Sequence, residues 1–276
     1  MLVISGGDSF TFGAELPDDA GGPSELCWAN LVSKKLDAHM HINTASSGRS
    51  NSFITRRILY TVNKALENGY LPENIFVQIM WTFVARREFK LINGTLNDLM
   101  YKQDSEWLAL DPYCATNEAK SDWFKKIHLD TPNYASTKFS LENKYNIYKG
   151  TGVVDLGKAW YNIVSDEDDV YTSLKDIFSL QNFLKIHDIN HIFAYTGYHV
   201  PKQLFEDETN KYVTSLRKTI DQDSWYHFPG DWPTSKYIGF NDCGLINNYE
   251  YATSHPLEKA HEDAAEIIYE HIEKIL

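Results

Sequence analysis

The stretch MLVISGGDSF, residues 1–10, is an apolar run that ends in two glycines, an aspartate and a serine. The run is short and rich in β-branched residues, which predicts a buried strand, and the glycines allow a sharp turn after it. A serine just past such a strand lies at the carboxyl edge of the sheet, where open α/β sheets bind ligands. Ser9 is therefore a candidate nucleophile. Gly-Asp-Ser is also an ordinary turn or helix-cap sequence, and a phosphate-binding loop is disfavoured because no Lys-Ser or Lys-Thr pair follows.

Outward from this stretch, strand, loop and helix alternate, which is the pattern of a doubly wound parallel sheet. Further strands are predicted at 39–45, 74–80 and 190–197, with a short fifth at 224–228. Helices are predicted at 23–38 (capped by Ser24), 51–68, 170–186 and 201–220, and a closing helix uses Ala264, Ile268, Ile272 and Ile275. Residues 230–253 read as a loop. We expect a single α/β domain over residues 1–276.

The alternation breaks over residues 89–169, a segment that is too long for a simple loop in a compact domain. We expect a mostly helical and irregular insertion that covers the carboxyl edge of the sheet as a lid or substrate wall. Its aromatic residues either pack or provide stacking surfaces for sugar rings. They are Trp107, Tyr113, Trp123, Tyr134, Tyr145, Tyr148, Trp160 and Tyr161.

Composition restricts the class of partner and the compartment. The formal net charge of −12 argues against nucleic acid or an anionic membrane as the main partner. The three cysteines, at 27, 114 and 243, are odd in number and far apart, which favours a reducing compartment and indicates neither a disulfide framework nor a metal cluster. The chain shows no signal peptide and no run long enough to cross a bilayer, so we expect a cytoplasmic location and no cofactor. The oligomeric state stays open.

Loops that carry reactive or hydrogen-bonding residues follow three of the predicted strands. Ser9, Gly48 and Thr82 with Arg86 lie in these loops, and His255 precedes the closing helix. A serine that attacks a carbonyl needs a base, which histidine provides near neutral pH, and donors for the developing oxyanion. The backbone N–H groups of Ser9 and Gly48 suit that second task.

Three blocks of sequence resemble the SGNH (GDSL-like) hydrolase family. Residues 7–10 resemble its first block with the nucleophile, residues 43–50 its second block with the glycine N–H, and residues 254–256 its last block with the base. The blocks span nearly the whole chain. The resemblance implies a flavodoxin-like three-layer α/β/α sandwich that hydrolyses an ester through an acyl-enzyme without a metal. A looser likeness to phage-encoded SGNH-like proteins would place the chain in a host cytoplasm or a virion.

The chain departs from the family pattern at two positions. The family's third block carries an asparagine that donates to the oxyanion, and the nearest equivalent here is Thr82, with Arg86 in reach of the same space or paired with Glu88 or Asp98. The family's aspartate three residues before the histidine is replaced by Ala252. A backbone carbonyl or Asp242 then has to orient His255, so we expect a Ser-His dyad or weak activity. Asp8 is a further candidate supporting residue.

These observations give a first hypothesis and two alternatives. The first is a serine esterase that removes a small acyl group, such as acetyl, from a carbohydrate. The second is a catalytically weak or inactive SGNH fold that binds glycans or belongs to a virion, and the third is acyl transfer to a sugar. His199 and His261 compete with His255 for the role of the base, although a lone histidine is more often a packed or surface residue.

Overall fold

The computed structural model describes residues 1–19, 21–90, 107–110, 152–230 and 235–276. Four parallel strands form the main sheet in the order β2-β1-β3-β6. These strands are β1 (Leu2–Gly6), β2 (Met40–Asn43), β3 (Ile75–Trp81) and β6 (Asn190–Tyr195). An antiparallel pair, β4 (Arg87–Lys90) and β5 (Trp107–Leu110), forms a separate small sheet.

Helices occupy both faces of the main sheet. They are α1 (Ser9–Phe12), α2 (Trp28–Lys35), α3 (Asn51–Glu67), α4 (Gly152–Ile163), α5 (Asp166–Ile186), α6 (His199–Pro201, continued by a π-turn at Lys202–Glu206), α7 (Lys211–Arg217), α8 (Phe240–Ile246) and α9 (Glu258–Ile275). None of the helices in the described part of the chain is long and apolar enough to span a membrane.

Alternating side chains of the strands build a core on each face of the sheet. Ile4 and Val77 pack on one side with residues of α3 and α5, and Val3 and Phe76 pack on the other with residues of α2 and α9. Because successive side chains of a strand point to opposite faces, a sheet covered on both sides must be apolar throughout. This arrangement confirms the predicted three-layer α/β/α sandwich with a central parallel sheet.

The strand register determines where the functional loops meet. Ser5 of β1 pairs with Asn43 at the end of β2, and Gly6 pairs with Ile79 near the end of β3. The carboxyl ends of these three strands therefore lie side by side, and the loops that follow them converge at one edge.

The structure differs from the sequence prediction in several elements. Residues 230–253 contain a helix, α8, rather than only a loop, because Asp242 accepts a hydrogen bond from the Gly239 N–H at its start and Phe240 and Cys243 bury one side of it. The predicted helix 201–220 is broken, because the Asn210 side chain caps a new helix by accepting from two backbone N–H groups.

Two further local predictions are wrong in detail. The fifth strand is reduced to a single bridge between Trp225 and Phe193. Ser24 does not cap α2; its hydroxyl donates to Asp18 instead, and α2 starts at Trp28, four residues after Ser24. Residues 91–106 and 111–151 of the predicted insertion lie outside the described residues, so the lid over the site stays a prediction. The described parts of 89–169 include α4, in keeping with the helical content expected there, and strands of the β4–β5 pair, which the sequence pattern did not indicate.

Candidate active site

Ser9 is the first residue of a short helix at the end of the central strand. Asp8 caps this helix: its Oδ1 accepts a hydrogen bond of 3.1 Å from the Phe10 N–H. Position 7 has to be glycine, because a Cβ there would lie 2.0 Å from Oγ1 of Thr11. Ser9 is held in this turn on a rigid element, but with 6% of the residue exposed it is buried and not exposed at the sheet edge as its place after the strand predicts.

The loop after β2 is attached to the loop of Ser9. The Thr44 N–H and hydroxyl both donate to the carbonyl of Ser5, and the Ser46 N–H donates to the carbonyl of Gly7. Gly48 follows with φ of 72°, a conformation that favours glycine, and a Cβ at this position would meet no atom within 4 Å. Within the described residues, the backbone N–H groups of Ser9 and Gly48 have no hydrogen-bond acceptor, as oxyanion donors require.

A buried ion pair joins the loop of Ser9 to the end of β3. Oδ2 of Asp8 accepts from the Thr82 hydroxyl at 2.5 Å and from Nη1 of Arg86 at 2.8 Å. Asp8 is fully buried and Arg86 is nearly so. The same Arg86 nitrogen donates to the carbonyl of Arg49, in the loop of Gly48, at 3.4 Å. Asp8 and Arg86 therefore hold three loops together.

Thr82 occupies a structural position in this cluster. Its hydroxyl donates to Asp8 and accepts from Arg86 at 2.7 Å, and its backbone N–H donates to the Asn51 side chain. A hydroxyl has one proton to donate. The expectation that Thr82 donates to an oxyanion is therefore not met in this arrangement, since that proton is held by the Asp8 carboxylate. Of the two alternative partners of Arg86, Glu88 pairs with Arg56, and Asp98 lies outside the described residues.

His255 lies in a tight loop before α9 and comes close to the nucleophile loop. Its ring packs against the ring of Phe10, the residue after Ser9, with 4.8 Å between centroids. Within the described part of the chain, the Ser9 hydroxyl and Nε2 of His255 are not hydrogen-bonded to each other. Catalytic hydrogen bonds are often long in ligand-free enzymes and shorten when substrate binds.

Glu15 contacts His255 from the loop that follows α1. One oxygen, Oε2, accepts from Nδ1 of the ring at 3.0 Å and from the backbone N–H groups of His255 and Ser254 at 3.1 and 2.9 Å. Burial raises the pKa of Glu15, but these hydrogen bonds outweigh it and hold the pKa below its ordinary value. Sequence reasoning missed this residue. The signal that could have found it is an acidic residue in the same loop as Ser9, on the edge where His255 must also lie.

The remaining candidates lie elsewhere. Asp242 is not at His255: it accepts from the backbone N–H groups of Tyr198 and Gly239, and burial raises its pKa to about 7. His261 is buried, accepts from the Trp28 N–H at 3.1 Å, and burial lowers its pKa to about 3. His199 stacks on Phe83, with 4.5 Å between ring centroids. In the described ranges no cluster of three histidine, cysteine or acidic residues could hold a metal ion.

The described fold and edge cluster define an α/β/α sandwich with a serine, a histidine and free backbone donors at the carboxyl edge of its sheet. No family model matches the chain, and no curated protein matches it. Among solved structures, it is similar to esterase EstA from Pseudoalteromonas sp., inhibited by monoethylphosphonate, at 14% identity and a TM-score of 0.44, covering 99% of this chain and 97% of that one.

Two further solved structures show a weaker likeness. Phospholipase A1 from Streptomyces albidoflavus has 10% identity and a TM-score of 0.37, with 98% of each chain covered. A member of the lipolytic protein G-D-S-L family from Veillonella parvula has 12% identity and a TM-score of 0.24, with 79% of this chain and 93% of that chain covered. The likeness to phage proteins stays a prediction.

Proposed function

We propose that this protein is a serine esterase of the SGNH type, with Ser9 as the nucleophile and His255 as the base. One observation carries the proposal. At a single edge of the sheet, Ser9 starts a helix beside the Gly48 loop, both backbone N–H groups lack an acceptor within the described residues, and the His255 ring packs on the neighbour of Ser9. Such a set of nucleophile, base and donors is what acyl transfer requires.

The reaction follows from these groups. Oγ of Ser9 attacks the carbonyl carbon of the ester while Nε2 of His255 takes its proton. The backbone N–H groups of Ser9 and Gly48 bind the oxygen that becomes negative. When the C–O bond breaks, His255 returns the proton to the leaving alcohol and an acyl-Ser9 ester remains. Water, deprotonated by His255, then attacks this ester. The C–O bond to Ser9 breaks, His255 returns the proton to Oγ of Ser9, and the acid is released.

The cluster around Asp8 supports this chemistry without touching the substrate. Asp8 caps the helix that carries Ser9, and its ion pair with Arg86 extends to the loop of Gly48 through the carbonyl of Arg49. The nucleophile and the second oxyanion donor are consequently fixed relative to each other. Preorganised donors of this kind need no rearrangement when charge develops.

The substrate class rests on the sequence of the segment 89–169. Its aromatic residues suit stacking against sugar rings, which favours a carbohydrate that carries a small acyl group such as acetyl. The net charge of −12 disfavours nucleic acid as a partner. The same groups also perform acyl transfer if a sugar hydroxyl replaces water, and product analysis with an added acceptor separates the two outcomes.

Hydrolysis of 4-nitrophenyl acetate by the wild type and by Ser9→Ala tests the proposal. Ser9→Ala should lower kcat by at least about 10³-fold, since removing the nucleophile of a serine hydrolase costs up to about 10⁶-fold. Ser179→Ala, on the exposed side of α5, is the matched control and should keep full activity. Full turnover by Ser9→Ala would overturn the mechanism. Release of acetate from an acetylated oligosaccharide tests the carbohydrate assignment separately.

A glycan-binding protein without turnover is the second candidate. It is favoured by the lack of a hydrogen bond between Ser9 and His255 in the described structure and by the engagement of the Thr82 hydroxyl with Asp8. A fluorophosphonate probe distinguishes the two candidates, because it labels only an activated serine.

A further inference from the structure

We propose that Glu15 is the positioning acid of a Glu15–His255–Ser9 triad, supplied by the loop after the nucleophile instead of by the segment before the histidine. This inference rests on the proposed esterase function and adds to it a residue that the family's sequence pattern does not contain. Position 252, three residues before His255, is an alanine, so no carboxylate is available there.

The contact between Glu15 and the ring fixes the tautomer of His255. An ionised carboxylate only accepts hydrogen bonds, so Nδ1, which lies 3.0 Å from Oε2 of Glu15, carries the proton. The Ser254 hydroxyl oxygen lies 3.1 Å from the same nitrogen and is a second acceptor for that proton, so Ser254 has to be tested as well. Nε2 then keeps its lone pair and can take a proton from a serine hydroxyl. The lowered pKa of Glu15 keeps its carboxylate ionised near neutral pH.

The backbone of Glu15 is also fixed, in addition to the hydrogen bonds that its carboxylate accepts. Ala14 and Leu16 on either side of it are buried, and the Glu15 N–H donates to Asp19 at 3.2 Å. Glu15 has φ of 70°, a backbone conformation that residues other than glycine rarely adopt. Strained conformations of this kind are retained mainly where function fixes them.

Three other non-glycine residues share a positive φ, and each has a local explanation. Asp37, Asp188 and Asn248 come directly after the C-terminal caps of α2, α5 and α8, where such a conformation commonly ends a helix. Glu15 lies two residues after the cap of α1, which is itself Gly13. Its conformation instead directs a carboxylate at His255.

A purely structural role for Glu15 makes a different prediction. Oε2 also accepts from the Ser254 and His255 backbone N–H groups, and in a purely structural role the residue serves only to hold the loop before α9. Glu15→Gln separates the roles, because the amide oxygen still accepts from these two N–H groups while the charge is lost. A structural role requires that any loss of activity follow a loss of folding.

The test compares wild type, Glu15→Gln, Ser9→Ala and Ser254→Ala on 4-nitrophenyl acetate, with Glu262→Gln, an exposed carboxylate of α9, as the charge-matched control. Glu15→Gln should lower kcat by about 10²- to 10⁴-fold with KM and melting temperature nearly unchanged, since replacing the acid of a serine triad by its amide has cost about 10⁴-fold. The value should lie below that limit because the Glu15 side chain is 31% exposed. Glu262→Gln should match the wild type.

Nitrogen-15 NMR of the His255 ring provides a readout that needs no turnover. Wild type should show Nδ1 protonated in the neutral ring, and Glu15→Ala, which removes the acceptor altogether, should show a mixture of tautomers. The proposed esterase function is contradicted if Ser9→Ala is as active as the wild type or if the wild type is inactive. In either case the NMR result still tests the contact between Glu15 and His255. Unchanged kcat in Glu15→Gln together with an unchanged tautomer in Glu15→Ala, beside an inactive Ser9→Ala, would overturn the role of Glu15 alone, as would a loss of kcat confined to Ser254→Ala.

Discussion

Replacing Asp8 by asparagine should destabilise the protein and disable Ser9 at the same time. The asparagine keeps the oxygen that caps the helix of Ser9 but puts an NH₂ group where Oδ2 accepts from Thr82 and Arg86. Two hydrogen bonds to a buried charge are lost, and the new NH₂ group faces the donor nitrogen of Arg86. Hydrogen bonds to charged groups contribute about 1.5–3 kcal/mol each, so the loss of two comes to about 3–6 kcal/mol. Removing one partner of a buried ion pair costs about 3–5 kcal/mol, which lies within that range.

The assays are thermal unfolding followed by circular dichroism and the rate at which Ser9 reacts with a fluorophosphonate. For a chain of this size each kcal/mol lowers the melting temperature by about 2–4 °C, so Asp8→Asn should lower it by about 6–20 °C. The labelling rate should fall well below that of the wild type at temperatures where the variant is still folded. The physical reason is that the loop of Gly48 is no longer held against the loop of Ser9 once Arg86 loses its bond to Asp8.

Asp169→Asn is the matched control for this prediction. It breaks a second buried pair, in which Oδ1 of Asp169 accepts from Nε and Nη2 of Arg87 at 2.9 and 2.6 Å, but it touches neither the Ser9 nor the Gly48 loop. It should reduce stability while leaving the labelling rate of the folded protein unchanged. If Asp8→Asn keeps the wild-type melting temperature and labelling rate, the ion pair does not organise the site and this reasoning is refuted.

Three further predictions use other parts of the structure. Gly48→Ala should cost about 1–2 kcal/mol, because its φ of 72° strains an alanine while the methyl meets open space, and kcat should fall by about 10²-fold as the N–H shifts; thermal unfolding and ester hydrolysis measure both. Burial lowers the pKa of His261 to about 3, so the contribution of this residue to the free energy of unfolding is complete above about pH 6.5 and is lost as the pH falls. Urea unfolding at pH 5 and 7.5 should show that His261→Gln loses less stability at the lower pH than the wild type. Burial raises the pKa of Asp242 to about 7, so the contribution of this residue to the free energy of unfolding is present below about pH 4 and is lost as the pH rises to 7. In urea unfolding, Asp242→Asn should be more stable than the wild type at pH 8 but not at pH 4.5.

Much of the fold could be predicted because its pattern is local. The first strand, the alternation of strands with helices and the closing helix are visible as runs and periodicities within short windows. Ser9 and Gly48 follow from this pattern, since residues just past parallel strands must share one edge. The prediction of His255 as the base depended on the resemblance to a family block, because nothing in its own neighbourhood distinguishes it from a surface histidine.

The parts that could not be predicted depend on pairing between distant side chains. Glu15 and His255 are 240 residues apart in the chain, and Asp8 and Arg86 are 78 apart. Neither pair leaves a periodic signal, so an acid of the loop before His255, Asp242, was the one expected. The helix α8 was missed for a similar reason: its residues are glycine, asparagine and aspartate in part, and tertiary packing of Phe240 overrides their weak propensity.

Mass spectrometry of the protein after reaction with a fluorophosphonate tests the central claim most directly. The account predicts one adduct on the peptide that contains Ser9, formed at a rate that falls in Glu15→Gln and absent from Ser9→Ala. An adduct on another residue, or labelling of Ser9→Ala equal to that of the wild type, would contradict the assignment of Ser9 as the nucleophile. A wild-type protein that forms no adduct would contradict the claim that its serine is activated.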